Sequence, residues 1–116
     1  MAAVGDDCLF CRIVSGEIPA EVVAETEDAV AFRDLNPQAP VHVLVVPRLH
    51  VADAAELADR APATVAALVG LGRQIAADAG HDSYRLLFNT GAAAGQTVFH
   101  AHLHVLAGRS MSWPPG

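Results

Sequence analysis

The stretch TVFHAHLHVLA, residues 97 to 107, decides how the chain is read. Its β-branched and apolar residues predict one long strand, and side chains on a strand alternate between two faces. His100, His102 and His104 then share a face, with neighbours about 6.6 Å apart along the strand. Ala101, Leu103 and Val105 share the other face and should pack on helices.

The rest of the chain supplies a sheet for this strand and a layer to cover it. Before it, NTGAAAG is a loop and YRLLFN (84–89) a strand. EVVAE (21–25) and AVAFRD (29–34) are two strands with a turn at Glu27 and Asp28. LNPQAP (35–40) is a loop fixed by two prolines, and VHVLVV (41–46) is a strand ended by Pro47. CLFCRIVSG forms a short helix stopped by Gly16. Asp53 and Glu56 have capping-box spacing before the helix AELADR. Pro62 opens a longer helix closed by Gly80, with Val65, Leu68, Gly72, Ile75 and Ala79 on one stripe. The tail RSMSWPPG is extended. This order predicts an α+β domain, residues 1–116, with a mostly antiparallel sheet and helices on one face.

Composition narrows the function. The 116 residues are 53% hydrophobic, enough for one small core and too apolar for intrinsic disorder. No apolar run approaches the roughly 20 residues that span a bilayer. MAAVGDDCLF lacks the charged and apolar regions of a secretory signal, so a cytoplasmic location with reduced cysteines is expected. The formal net charge is −6, with seven scattered Lys and Arg, and no basic patch marks a nucleic-acid surface. A small phosphorylated ligand is still allowed, because main-chain N–H groups bind phosphate without net positive charge.

Three histidines at strict period two are a poor choice for mere solvation. Imidazole suits zinc, copper or nickel, but three rings in a row on a straight strand do not converge on one ion. Neutral imidazole is also a nucleophile and a proton carrier near pH 7. A nucleophilic histidine needs an oriented ring and donors for the charge developing on its electrophile. The loop before the strand offers such donors: Asn89, Gln96, Thr97 and the main chain around Gly95.

The run NTG…GQTVFHAHLHVLAGR carries His-x-His-x-His followed by two apolar residues. It resembles the histidine triad (HIT) superfamily, specifically the Hint branch of purine-nucleoside phosphoramidases. FCRIVSGEIPAEVVAET, AFRDLNPQAPVHVLVVPRLH and GRSMSWPPG extend the resemblance over nearly the whole chain.

The resemblance implies a homodimer whose sheets join across the interface. It implies hydrolysis of nucleoside 5′-phosphoramidates through a nucleotidyl-histidine intermediate. His102 would be the nucleophile, with His42 beside it. His104, with the Thr97 hydroxyl, would contact phosphate and help protonate the leaving amine. Asn89, Gly95, Gln96 and the main chain near Thr97 and Val98 would hold the α-phosphate, and Asp34 the ribose. Phe10, Ile13, Ile18, Phe32 and Leu35 would form the slot for the base, although Ile13 and Ile18 serve equally well as core residues. Trp113 would reach toward the partner's site. Thr97 stands where many members have serine, and Ser112 where close eukaryotic relatives have histidine, which bears on the leaving group.

In bacterial members an N-terminal C-x-x-C often joins two histidines around a structural zinc, and the resemblance implies that here those would be Cys8, Cys11, His50 and His100. C-x₂-C suits two tetrahedral thiolates. The alternatives are unligated buried cysteines or a redox pair, but no strand precedes Cys8 as a thioredoxin-like motif requires. The alternative activities are dinucleoside polyphosphate hydrolysis, nucleotidyl transfer, and nucleotide binding with little catalysis.

Overall fold

A computed structural model describes residues 8–116. The expected lack of a secretory signal in MAAVGDDCLF concerns mainly residues outside that range. Five strands form one sheet: β1 (Val22–Glu25), β2 (Ala29–Arg33), β3 (Val41–Pro47), β4 (Tyr84–Leu87) and β5 (Leu103–Ala107). Their order is β1-β2-β3-β5-β4, and every pairing is antiparallel, as the sequence predicts. Among the described residues three α-helices accompany them: α1 (Leu9–Val14), α2 (Ala54–Arg60) and α3 (Pro62–Asp78). Among the described residues no helix is long and apolar enough to cross a membrane.

Strand alternation divides the interior in two. Ala29, Ala31, Val43, Val45, Leu103 and Val105 point to one side and meet Leu57 of α2 and Leu68 and Ala76 of α3. Val30, Phe32, Leu44 and Val46 point to the other side, where α1 lays Phe10 against them. The expected helical face is therefore that of α2 and α3, while the short α1 covers part of the opposite face. That second face is only partly covered, and the polar residues of β3 and β5 open onto it.

The α3 stripe follows Leu68, Gly72 and Ala76, with Val65 and Ile75 at its margin. Ala79 is exposed; the stripe drifts past it as the helix reaches its end. Gly72 marks the closest approach of helix to sheet. A Cβ there would lie 3.1 Å from Val105 Cγ2 and 3.3 Å from both Leu103 and Leu86 methyl carbons. Asp53 caps α2 by accepting the Glu56 N–H at 2.9 Å, while Glu56 reaches back one residue further than a capping box requires, to the Ala52 N–H at 2.7 Å.

The long strand expected over residues 97–107 is shorter. β5 begins at Leu103, and Val98–His100 form a bend. In this segment the Ala101 N–H donates not to a strand but to Val51 O, at 2.8 Å. The buried Gln96 amide donates to Ala52 O at 2.7 Å and to Val98 O at 3.1 Å, and accepts from the Gly91 N–H at 2.9 Å. β4 likewise ends at Leu87, not residue 89.

Overfilling the helix–sheet contact tests this packing. Gly72→Val should lower stability by about 1–3 kcal/mol through forced side-chain shifts. Urea unfolding measures it; an unchanged midpoint would show that the contact has slack.

Candidate functional site

The bend at residues 98–100 sends the three histidines to different places. His100 lies behind the sheet's second face, fully buried. Its Nε2 is 2.9 Å from Pro47 O, so Nε2 carries the proton and donates it. Nδ1 is thereby left with a lone pair. It faces Cys8 Sγ at 3.3 Å, Cys11 Sγ at 3.5 Å and His50 Nδ1 at 3.1 Å. Cys11 Sγ is 3.3 Å from the same nitrogen of His50.

These four donors fit a tetrahedral metal. Zinc bonds of about 2.0–2.1 Å to nitrogen and 2.3 Å to sulfur place donor atoms roughly 3.3–3.8 Å apart. Every donor in Cys8, Cys11, His50 and His100 lies within 4.8 Å of the others. Burial pushes the Cys11 thiol up to about 11, helped by the neighbouring Cys8. A bound cation reverses that preference and deprotonates the thiol. Burial, outweighing the Pro47 hydrogen bond, holds His100 down at about 4, which keeps the ring neutral as a ligand must be.

His102 points the other way. Its Nδ1 lies 2.8 Å from the carbonyl oxygen of His100. The carbonyl can only accept, so Nδ1 carries the proton and Nε2 is the unprotonated nitrogen. His102 lines a cleft of about 300 Å³, and Phe10 packs edge-on against its ring at 5.0 Å. Burial lowers its pKa, opposed by the His100 carbonyl and by Asp34.

His104 shares the cleft, with its ring centroid 5.1 Å from that of His102. Behind it stands His42. The register pairs His42 with Leu106 and Leu44 with His104, which makes the two histidines diagonal neighbours on one face. The Gln38 N–H donates to His42 Nδ1 at 2.9 Å. The proton of neutral His42 is therefore on Nε2, which lies 2.9 Å from Nδ1 of His104. His104 in turn carries its proton on Nε2. An extra proton on either ring would have to displace a donor already in place. Burial first, then the neighbouring His102 and His42, hold His104 down at about 4, against a smaller upward pull from Asp34. His42 is lowered by burial, partly offset by Asp34, whose Oδ2 is 3.4 Å from its Nε2.

Asp34, His42 and His104 also bring donor atoms within 4.8 Å of one another. The tautomers argue against a metal there. A cation on His42 Nε2 would drive the proton to Nδ1, directly against the Gln38 N–H. The same reasoning favours the cysteine cluster, where the Nδ1 of His100 is already vacated.

Most residues singled out in the sequence border one cleft. Asn89, Gly95, Thr97 and Val98 lie along one wall, and Phe10, Ile13, Ile18 and Phe32 form an apolar wall. Gly95 turns the chain with φ +98, a conformation that favours glycine. Asp34 and Leu35 stand at the margin, Leu35 wholly exposed. The expectation for Gln96 changes. The Gln96 side chain does not face the cleft; it is 2% exposed, and its amide is committed to the main chain of Gly91, Ala52 and Val98. Trp113 is 84% exposed and lies outside its own chain's cleft. Leu9 lines the cleft unanticipated, though its i, i+4 spacing to Ile13 on α1 was a readable signal. The Gln38 N–H and the Pro47 and His100 carbonyls were not readable, because main-chain groups leave no trace in residue type.

Comparisons with known proteins agree with this geometry. The HIT domain family model matches residues 15–111. An uncharacterized HIT-like protein of Synechocystis sp. is 45% identical over 114 residues, covering 97% of this chain and 100% of that protein. A HIT family hydrolase from Legionella pneumophila Philadelphia 1 superposes with a TM-score of 0.91 at 45% identity, over 95% of this chain and 100% of that one. A Zn-bound histidine triad family protein from Mycobacterium smegmatis gives 0.80 at 36% identity, over 97% and 81% of the two chains.

The low proton affinity of His104 links the site to acid stability. The unfolded ring binds a proton near pH 6.5 and the folded ring only near about 4, so stability present above pH 6.5 is lost as pH falls through that window. His104→Gln should therefore lose stability less steeply than wild type between those values. Parallel urea midpoints over that range would refute this if the two slopes match.

Proposed function

The chain belongs to the HIT family, and from that premise we propose that it hydrolyses purine nucleoside 5′-phosphoramidates. The observation that carries the reading is the orientation of His102. Its Nδ1–H is held by the His100 carbonyl, so Nε2 offers a lone pair at the cleft. Attack of Nε2 on phosphorus forms a P–N bond to the ring as the bond to the departing amine breaks. His104 faces the same phosphate with Nε2–H. The substrate's negative charge raises the proton affinity of the His42–His104 pair, against burial, so the pair takes up one proton from solvent as substrate binds. The pair's proton passes to the amine from Nε2, with the Thr97 hydroxyl beside it. Water then cleaves the nucleotidyl-histidine, releasing the nucleoside monophosphate and returning the proton.

The remaining cleft residues fit this substrate class. Main-chain N–H groups at Thr97 and Val98, Gly95 and the Asn89 amide sit where the phosphate would lie. Asp34, at the margin, is placed for ribose hydroxyls. Leu9, Phe10, Ile13, Ile18 and Phe32 offer an apolar wall to a flat base, with Leu35 at its edge. Sheet continuity across a homodimer would use an outer edge, β1 or β4, and the exposed Trp113 would then reach the partner's cleft. The Cys8, Cys11, His50 and His100 cluster would hold a structural zinc; four protein donors would leave no position for a reacting water.

Two measurements test the reading. His102→Ala should keep its fold and lose phosphoramidate turnover by roughly three orders of magnitude. Wild-type turnover in the folded variant would sink the mechanism, and faster turnover of a diadenosine polyphosphate than of an adenosine phosphoramidate would sink the substrate assignment. Protein purified without added metal should carry about one zinc per chain, and Cys11→Ser should lose it. A metal content near zero, with stability unchanged by chelator, would overturn the zinc assignment.

A further inference from the structure

The tautomer of His42 is set by a main-chain group on a loop, and the segment after the triad strand holds that loop. Residues 35–40 connect β2 to β3. The Asp34 N–H donates to His42 O at 3.0 Å, and Asp34 Oδ1 accepts the Asn36 N–H at 2.8 Å. These bonds secure the start of the loop. Its middle is held from outside by the residues directly following β5. Arg109 Nε donates to Gln38 O at 2.7 Å. Gly108 sits with φ +97, and a Cβ there would fall 2.9 Å from Pro40 Cβ, so the chain passes against Pro40 at a distance that only glycine permits.

We propose that Arg109 is a positioning residue: with Gly108 it clamps the loop so that the Gln38 N–H stays on Nδ1 of His42, which fixes the proton on Nε2 and presents it to His104. The peptide units on either side of Gln38 are tied at both ends. Its carbonyl is taken by Arg109 and its N–H by His42. A charged guanidinium donor to a carbonyl is stronger than a neutral one, and Arg keeps its charge at any working pH. The Gln38 side chain bonds within the loop, to Asn36 O at 3.0 Å, and so does not supply this outside tie. The hydrogen-bonded line runs from Arg109 through Gln38 and His42 to His104, with steps of 2.7, 2.9 and 2.9 Å. The triad strand therefore supplies His104 and, directly after its last residue, the group that orients the partner of His104.

The kinetic side of this inference rests on the proposed phosphoramidate hydrolysis; the spectroscopic side does not. Side-chain ¹⁵N spectra separate protonated from hydrogen-bonded unprotonated ring nitrogens and report His42 directly. Arg109→Ala should shift the Nδ1 signal of His42 toward that of an unbonded or exchanging nitrogen, and should lower kcat for an adenosine phosphoramidate roughly tenfold with KM little changed. Arg109→Lys should recover part of both effects, and Gly108→Ala should reproduce the shift. Arg85→Ala is the control, because Arg85 ties the tail through Ser112 O at 3.0 Å without touching the loop. An unshifted His42 signal in Arg109→Ala overturns the inference, as does an equal shift in Arg85→Ala. A shifted signal with unchanged kcat overturns the link to His104. If wild type turns over no phosphoramidate, the proposed activity fails while the spectra still decide the clamp.

Discussion

The hydrogen bond from Nδ1 of His102 to the carbonyl of His100 is the interaction on which the site depends. It assigns one proton, and that assignment decides which nitrogen offers its lone pair to the cleft. It also joins two regions of different chemistry. The His100 side chain reaches back to Pro47 and the cysteine cluster, while its carbonyl reaches forward to His102. A shift of the buried ring therefore moves the acceptor that orients His102. Net hydrogen-bond energies are modest, about 1 kcal/mol each, so the value of this one lies in selecting a tautomer rather than in holding the fold.

The same logic recurs along the sheet's second face. In each of His42, His100 and His102 a main-chain group holds one ring nitrogen and thereby sets the protonation of the other. Pro47 O frees Nδ1 of His100, His100 O frees Nε2 of His102, and the Gln38 N–H makes Nε2 of His42 a donor. Two of these groups are acceptors and one is a donor, so rings of identical composition take different roles. Burial reinforces the scheme by lowering the proton affinity of His42, His100, His102 and His104, which keeps each ring in the neutral form where tautomers matter.

How much of this was legible from residues alone follows from where the information sits. Alternation in AVAFR and VHVLVVP reads directly as strands with two different faces, because side chains carry the period-two signal. The same alternation misleads at residues 97–102. Their side chains look like strand, but the Ala101 N–H bonds to Val51 O in a loop, which no pattern in the segment announces. Gln96 shows the opposite trap: an amide beside a phosphate-like loop suggests a ligand contact, whereas burial turns it into a staple between three main-chain segments. The cluster of Cys8, Cys11, His50 and His100 came from resemblance, since C-x₂-C names two donors and leaves the histidines open. Tautomers were beyond reach, being set by peptide groups common to every residue type.

Helix α1 has a further consequence for how such a chain can diverge. Within Cys8–Ile13, the sulfur donors at positions 8 and 11 are interleaved with cleft-facing side chains at 9, 10 and 13. The interval between donors leaves no room for insertion or deletion, so recognition at this wall can drift only by exchange of side chains in place. Phe10 is narrower still, because its ring touches both Phe32 and His102. Evolutionary freedom in ligand choice is thus pushed toward Leu9, Ile13 and the exposed Leu35, where a new side chain meets the ligand before it meets the scaffold.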